Sequence, residues 1–248
     1  MKHCKEDIGS VAGRVHSIQS LGTLDGPGIR FVVFVQGCNL RCGCCHNPDT
    51  WQMDGGTLYE AEELVKKAVR YKEYFADKGG VTVSGGEPLL QSRFVQDFFE
   101  RCKREGINTC LDTSGDILND SVKDLLQHTD RVLLDLKYST DELYLEHVGC
   151  SIEAPLSFLK YLNEQNIKVT LRQVIIKGLN DNKENMDFLK RIVKEHSCID
   201  GVELLPFKKI CTVKYESLGI PFKFLNMEVP GSDLMDQLQA EIDGIINK

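Results

Sequence analysis

Runs of strand-forming residues alternate with amphipathic helical runs along most of this 248-residue chain. The strand-like runs are short and rich in β-branched and aromatic residues, whereas the helical runs repeat their apolar residues at intervals of three and four. The predicted strands are residues 29–36, 80–84, 107–113, 131–137, 167–176 and 201–207. The predicted helices are residues 58–77, 92–106, 119–129, 154–166, 182–196 and 231–247. This alternation predicts an α/β fold in which helices cover a parallel sheet built from six β/α units.

Polar residues gather at the carboxyl ends of the predicted strands, with one cation inside the fifth. In barrels of parallel strands the chemistry lies at that rim. These residues are Gly37, Cys38, Ser84, Gly85, Gly86, Glu87, Asp112, Thr113, Asp135, Lys137, Arg172 and Lys208. A doubly wound open sheet would bring the same residues to one edge. The pattern alone therefore does not separate a barrel from an open sheet.

The composition is that of an ordinary globular protein, with 42% hydrophobic and 27% charged residues. The formal net charge of −7 argues against a nucleic-acid-binding surface and against a polybasic membrane anchor. The chain has no run of eighteen apolar residues, and its charged first ten residues do not form a secretion signal. We therefore expect a cytoplasmic protein with no nucleic-acid or membrane partner.

Four of the ten cysteines lie within eight positions, and three of them, Cys38, Cys42 and Cys45, have the spacing C-x3-C-x2-C. Thiols stay reduced in the cytoplasm, so metal ligation is a better explanation for such a group than disulfides. The remaining cysteines are isolated in sequence and are expected to be small core residues or ordinary thiols. They are Cys4, Cys102, Cys110, Cys150, Cys198 and Cys211.

Two metal centres are compatible with the three clustered cysteines. Three thiolates can hold three corners of a [4Fe–4S] cube and leave the fourth iron open to another ligand. A structural zinc ion needs four protein ligands, and His46 could supply the fourth. Cys44 adds one more donor to the same loop. The spacing favours the iron–sulfur cluster and leaves zinc as the alternative.

A cysteine triplet of this spacing after the first strand of a βα series resembles the signature of radical S-adenosylmethionine (SAM) enzymes. Further stretches, in order along the chain, resemble the family of pyruvate formate-lyase activating enzymes. The matching stretches are GRVHSIQSLGTLDGPGIRFVVFVQGC (13–38), CCHNPDTW (44–51), VTVSGGEPLLQ (81–91), CLDTSG (110–115), LLDLK (133–137), LRQVI (171–175) and ELLPF (203–207). Together they span most of the chain, which makes the resemblance specific.

The resemblance implies a partial (β/α)6 TIM-like barrel of the radical SAM type. It implies one domain over residues 1–248, with a cluster loop at 37–47 and a C-terminal segment, 208–248, that completes the barrel. It also implies a reaction: a reduced [4Fe–4S] cluster cleaves SAM, and the 5′-deoxyadenosyl radical takes the α-hydrogen of a glycine in a partner enzyme. The implied partner is pyruvate formate-lyase, and the implied electron donor is of the flavodoxin or ferredoxin type.

The resemblance also assigns residues. Cys38, Cys42 and Cys45 are the implied cluster ligands, and Asp25 is the implied contact with the glycine-bearing loop of the partner. The residues implied to bind SAM are Cys44, Cys45, His46, Ser84, Gly85, Gly86, Glu87, Asp135, Leu136, Lys137, Arg172 and Lys208. A monovalent cation, Na⁺ or K⁺, is implied at Asp112, Thr113, Leu133 and Asp135. From the residues alone, the strand-end carboxylates could instead act as a general acid and base.

Two positions depart from the family pattern. Cys44 stands where the family usually has an aromatic residue against the adenine. Lys208 stands where it commonly has a histidine. A lysine still donates hydrogen bonds but offers no aromatic face and no neutral acceptor.

Other functions are compatible with the sequence. The partner could be a different glycyl radical enzyme, although residues 52–80 contain no cysteine, which favours the short type that acts on pyruvate formate-lyase. A radical SAM enzyme acting on a small molecule is a second possibility. A zinc-binding structural protein that uses the cysteine triplet and His46 is a third.

Overall fold

The computed structural model describes residues 9–246, which form strands and helices in alternation. Cys4 lies outside the described residues. The strands are β1 Ala12–Gly22, β2 Arg30–Val35, β3 Thr57–Glu60, β4 Gly80–Gly85, β5 Asn108–Thr113, β6 Arg131–Asp135, β7 Lys168–Ile175 and β8 Ile199–Pro206. The helices are α1 Ala61–Val69, α2 Lys72–Phe75, α3 Ser92–Arg104, α4 Asp120–Leu126, α5 Asp141–His147, α6 Glu153–Glu164, α7 Lys183–Glu195, α8 Thr212–Leu218 and α9 Ser232–Ile246. Short 3-10 helices cover Pro48–Thr50 and Pro88–Gln91.

The strands form one sheet in the order β3-β1-β2-β4-β5-β6-β7-β8. Six of them, β2 and β4 to β8, run parallel, which confirms the predicted series of β/α units. Strand β1 is antiparallel to both of its neighbours. Within the described part of the chain, β3 and β8 are the two edge strands, so the sheet does not close, which agrees with a partial barrel.

The parallel strands are buried on both faces, as expected when helices cover a parallel sheet. Four of the six residues of β2 and five of the six of β4 are buried in an unbroken run. Helix α3 packs its predicted apolar face, from Phe94 to Cys102, into the core. The amphipathic pattern of α3 therefore identified the buried side of this helix correctly.

The structure corrects the prediction of a single helix over residues 58–77. Residues 57–60 form edge strand β3, whose backbone pairs with residues 12–15 of β1, and the helical part is divided into α1 and α2. The pairing partner lies more than 40 residues away in sequence, so local periodicity could not reveal it. Strand β1 and the short helices α5 and α8 were also not predicted.

Helix α9 covers the edge strand β8. The Gln239 side chain donates from Nε2 to the Val202 carbonyl at 2.8 Å, and its Oε1 accepts from the Leu204 amide at 2.9 Å. An unpaired strand edge exposes such backbone groups, and Gln239 satisfies two of them. No helix within residues 9–246 has the length and apolar character that crossing a bilayer requires.

We expect Gln239→Ala to lower the free energy of unfolding by about 1–2 kcal/mol, because it leaves two partly buried backbone groups of β8 without a partner. Urea denaturation followed by circular dichroism measures the loss. Gln237→Ala, two residues away on an exposed position of the same helix, is the matched control and should change stability by less than about 0.5 kcal/mol. Equal effects of the two substitutions would contradict the assigned role of Gln239.

Candidate active site

A cavity of about 270 Å³ opens at the carboxyl ends of the parallel strands. It brings together every site residue predicted from the sequence except Leu133, Leu136 and Lys208. Residues from β2, β4, β5, β6, β7 and β8 or from the loops that follow them contribute to its wall. The rule that parallel strands present their chemistry at this rim therefore located the cavity correctly.

The cluster loop, residues 37–47, follows β2 and is fixed by backbone hydrogen bonds. The Gly37 amide donates to the Thr50 carbonyl at 2.8 Å, and the Gly43 amide donates to the His147 carbonyl at 2.8 Å. A Cβ on Gly43 would lie 2.6 Å from the nearest ring atom of Phe224, so a larger residue there would require the buried Phe224 ring to move. The 3-10 helix at Pro48–Thr50, the end of α5 and Phe224 of the C-terminal segment thus surround the loop.

The three predicted ligand cysteines all line the cavity, with Cys44 beside them. Burial raises the pKa of Cys38 to about 12, and it raises the pKa of Cys42 well above the usual thiol value. Burial also raises the pKa of Cys44 to about 11 and that of Cys45 above its usual value. A thiolate in this loop therefore requires compensating positive charge, of the kind that a metal centre supplies.

His46 faces the chain segment after β8. Its Nε2 donates to the Lys208 carbonyl at 3.0 Å. The Lys208 side chain is exposed and does not line the cavity. Lys208 thus meets the site through its backbone, and its role toward SAM stays a prediction.

The Ser84-Gly85-Gly86 stretch lies at the end of β4 directly against the end of β2. A Cβ on Gly85, at φ +116°, would lie 2.4 Å from the Val35 nitrogen, and one on Gly86 would lie 2.1 Å from the Gly37 oxygen. These glycines are therefore required by the contact between two backbones. The resemblance implied that this stretch binds SAM, and that role stays a prediction.

Glu87 is almost completely buried, with 2% of its surface exposed. Its Oε1 accepts hydrogen bonds from Thr113 Oγ1 at 2.5 Å and from the Leu89 amide at 3.0 Å. Its Oε2 accepts from the amide and the hydroxyl of Ser114 at 3.0 and 2.6 Å. Burial, followed by the nearby Asp116 carboxylate, raises the pKa of Glu87 to about 7. Glu87 thereby ties the end of β4 to the loop after β5.

Two carboxylates and two cations share the floor of the cavity. Arg172 Nη1 lies 3.3 Å from Asp112 Oδ2, and Lys137 Nζ lies 2.9 Å from Asp135 Oδ2. Burial raises the pKa of Asp112 to about 6, with Arg172 opposing the shift. Burial also opposes ionisation of Asp135, but Lys137 and then Arg172 outweigh it and lower the pKa of that carboxyl. Asp135 is therefore held ionised between the two cations.

The four predicted cation ligands are not equally placed. Leu133 pairs directly with Asp112 in the β5–β6 register but does not line the cavity. The Thr113 hydroxyl donates to Glu87 Oε1 at 2.5 Å and accepts from the Gly115 amide at 3.1 Å, so an ion would share this oxygen with both contacts. Leu136, the buried residue after Asp135, was predicted to bind SAM and does not line the cavity. Its amide donates to the Arg172 carbonyl, and its carbonyl accepts from the Gln173 side chain. Its role in SAM binding stays a prediction.

Several cavity residues were not predicted as site residues. They are Phe34, Leu40, Asn47, Thr50, Trp51, Ser114, Val174, Leu205 and Pro206. Most follow a strand end or lie in the CCHNPDTW stretch, so the strand-end rule applied more widely would have found them. Tyr215 on α8 also reaches the loop, with its hydroxyl donating to the Cys45 carbonyl at 3.1 Å. No local pattern in the sequence indicated that long-range contact.

The zinc alternative is not supported by the arrangement of donors. Within residues 9–246, no three side chains of His, Cys, Asp or Glu are grouped so that they could hold one metal ion. Zinc needs four donors directed at one point, and His46 is instead directed at the Lys208 carbonyl. A [4Fe–4S] cluster does not require its three thiolates to be directed at one point, because each of them binds a separate iron.

Comparison with known proteins identifies the family. Residues 32–189 match the Radical SAM superfamily. The pyruvate formate-lyase-activating enzyme of Clostridium pasteurianum is 45% identical over 237 residues, which cover 95% of this chain and 99% of that protein. The pyruvate formate-lyase 1-activating enzyme of Escherichia coli K12 is 41% identical over 94% of this chain and 96% of its own.

A solved structure supports the fold. The crystal structure of a radical SAM methyltransferase from Sphaerobacter thermophilus superposes with a TM-score of 0.64 at 17% identity, covering 94% of this chain and 75% of that one. The chain belongs to the radical SAM superfamily and, within it, to the family of pyruvate formate-lyase-activating enzymes.

Proposed function

We propose that this protein activates pyruvate formate-lyase by removing the α-hydrogen of a glycine in that enzyme and leaving a glycyl radical. The family membership supports the reaction. The observation that carries the proposal is the cavity itself, in which the cysteine triplet, the Asp112–Arg172 and Asp135–Lys137 pairs and Asp25 lie together. When bound there, a [4Fe–4S] cluster and SAM supply the one-electron chemistry of hydrogen-atom removal.

The donors fit an iron–sulfur cluster. Cys38, Cys42 and Cys45 would bind three irons, and the fourth would remain for the amino and carboxylate groups of SAM. Burial raises the pKa values of these thiols and so disfavours their thiolate form. The positive charge of the cluster irons would stabilise the thiolates. The backbone hydrogen bonds of the loop help to fix the three residues, all of which line the cavity.

The charged residues of the cavity fit the polar end of SAM. Arg172 Nε is buried and makes no hydrogen bond within residues 9–246, although Glu203 Oε2 lies 3.8 Å away. A ligand carboxylate within hydrogen-bonding distance would satisfy this donor. Asp135 and Lys137 would bind polar groups of the same ligand, and Gly85, Gly86 and Ser84 would offer backbone groups at the end of β4. Glu87 would act by holding the neighbouring loop, since its carboxylate already accepts four hydrogen bonds.

We assign the monovalent cation, Na⁺ or K⁺, to oxygens of Asp112, Thr113 and Asp135 with the backbone carbonyl of Leu133. Hard oxygen ligands suit such an ion, and its charge would relieve the burial of two neighbouring carboxylates. Both carboxylates line the cavity. This assignment gives them an electrostatic role and removes the need for an acid–base role.

Asp25 would contact the glycine-bearing loop of the partner. It lies in the segment between β1 and β2, lines the cavity, and has the 82%-exposed Leu24 beside it. Burial raises its pKa, and Arg172 opposes the shift.

We also propose a flavodoxin- or ferredoxin-type electron donor, a cytoplasmic location in which thiols stay reduced, and a single domain, which the continuous sheet supports.

The central test is electron paramagnetic resonance of the anaerobically reconstituted, reduced protein mixed with SAM and pyruvate formate-lyase. We expect a glycyl radical doublet that requires SAM and the partner. A variant of the partner with alanine in place of the radical glycine is the control and should give no doublet. SAM cleavage without any glycyl signal would indicate a different substrate.

We expect Cys38→Ala, Cys42→Ala and Cys45→Ala each to lose most of the bound iron and sulfide and to reduce SAM cleavage at least a hundredfold, because each removes a cluster ligand. Cys44→Ala should keep its iron, since the cluster needs only three thiolates. Cys198→Ala, outside the cavity, is the matched control for cysteine loss. Iron analysis and product chromatography measure the outcomes, and retention of the cluster by any of the first three variants would contradict the ligand assignment.

We expect Asp25→Asn to raise the KM for a peptide spanning the glycine segment of pyruvate formate-lyase about tenfold, because it removes one charged contact worth about 1.4 kcal/mol. SAM cleavage in the absence of the peptide should stay within twofold of the wild type. Asp124→Asn, on an exposed position of α4, is the control. An unchanged KM would refute the assigned role of Asp25.

A further inference from the structure

The segment that carries Asp25, residues 23–29 between β1 and β2, will be called the Asp25 loop. It has no helix or strand of its own. Two of its glycines lie at positive φ, Gly26 at +121° and Gly28 at +71°. A Cβ on Gly28 would lie 2.6 Å from the Gly79 nitrogen. The loop is therefore pressed against the start of β4 in a conformation that only glycine permits at these points.

One side chain from the sheet holds the backbone of Asp25. The Thr82 hydroxyl, in the middle of β4, donates to the Asp25 carbonyl at 2.7 Å. The same hydroxyl accepts a hydrogen bond from Arg30 Nε at 3.0 Å. Thr82 and Arg30 are both completely buried. Thr82 does not line the cavity, so its hydroxyl does not touch a ligand bound there.

Arg30 is itself fixed by further acceptors. Its Nη1 donates to Asn108 Oδ1 at 2.9 Å and to the Lys78 carbonyl at 3.3 Å, and its Nη2 donates to the Val81 carbonyl. The rigid guanidinium thus presents Nε to Thr82 from one direction only. Because a hydroxyl has a single hydrogen, an accepted bond from Arg30 leaves that hydrogen for the Asp25 carbonyl.

We propose that Thr82, oriented by Arg30, is a positioning residue that sets the Asp25 loop for the partner's glycine segment. This inference rests on the proposed function, in which Asp25 contacts that segment. Loss of the Thr82 hydroxyl leaves the Asp25 carbonyl without this donor and Arg30 Nε without its acceptor. The loop then moves, and the partner binds less well.

The binding of SAM does not depend on this hydroxyl. Strand β4 is held on both sides by backbone pairing, with Thr82 opposite Val32 of β2 and Cys110 of β5. The end of β4 at Gly85 and Gly86 is fixed by its own contact with β2 and Gly37. A side-chain change at Thr82 therefore alters the loop and leaves the end of the strand in place.

The test compares Thr82→Val with Thr82→Ser in the reconstituted holoenzyme. Valine keeps the shape of threonine but has no hydroxyl, whereas serine keeps the hydroxyl and loses one methyl group. Thr109→Val is the matched control, because Thr109 is also completely buried but its hydroxyl donates to the His128 carbonyl at 2.7 Å, away from the Asp25 loop. Thermal unfolding of each variant reports any general loss of stability.

We expect Thr82→Val to raise the KM for the glycine-segment peptide about tenfold, with SAM cleavage in the absence of peptide within twofold of the wild type. Amide hydrogen exchange within residues 23–29 should be about tenfold faster in this variant. Thr82→Ser should restore both the KM and the exchange rates to near wild-type values. Thr109→Val should lower thermal stability without changing either readout.

A wild-type KM and wild-type exchange in Thr82→Val would overturn the inference, as would a Thr82→Ser variant as impaired as Thr82→Val. An equal effect of Thr109→Val would also overturn it, because the cause would then be general destabilisation. Failure of the proposed function gives a different result, namely absence of the glycyl radical in the wild-type protein itself. Faster exchange in Thr82→Val with an unchanged KM would also overturn the inference. It would show that the Thr82 hydroxyl orders the Asp25 loop but that this order does not affect partner binding.

Discussion

The contact between the ends of β2 and β4 determines where the rest of the site can lie. At this contact Gly85 and Gly86 approach Val35 and Gly37 so closely that no side chain fits between them. The Glu87 amide donates to the Gly37 carbonyl at 2.8 Å across the same gap. The cysteine loop thus leaves the sheet from a fixed point, and the loop after β5 is tied to that point through the Glu87 carboxylate. A larger residue at either glycine would separate the two strand ends.

Charge balance is the second constraint on this cavity. Buried carboxylates and cations are unfavourable unless they are paired, and the cavity floor pairs Asp112 with Arg172 and Asp135 with Lys137. The thiols of the cluster loop are buried nearby, with pKa values raised by that burial. A cluster, a zwitterionic ligand and a small cation would complete this balance. The site is therefore better suited to charged cofactors than to acid–base catalysis.

The sequence predicted the parallel strands well because each is a short apolar run bounded by turn residues and followed by an amphipathic helix. It missed β3 because a four-residue edge strand can be identified only from the strand with which it pairs. That partner, residues 12–15 of β1, is distant in sequence. Most of the predicted site residues line one cavity, because the ends of parallel strands converge at one rim. The sequence did not reveal that Glu87 is fully engaged or that Lys208 meets His46 through its carbonyl. Those facts depend on how loops from different β/α units pack.

The sequence by itself determined the alternation of six parallel strands with covering helices, the spacing of the three cysteines and the family to which the chain belongs. These properties are local, or are the sum of local patterns along the chain. The tertiary structure alone decided the contacts that join distant segments, such as Thr82 to the Asp25 loop and Tyr215 to the cysteine loop. A hydrogen bond between residues far apart in sequence depends on distances that only the packed fold establishes, so no local pattern can encode it.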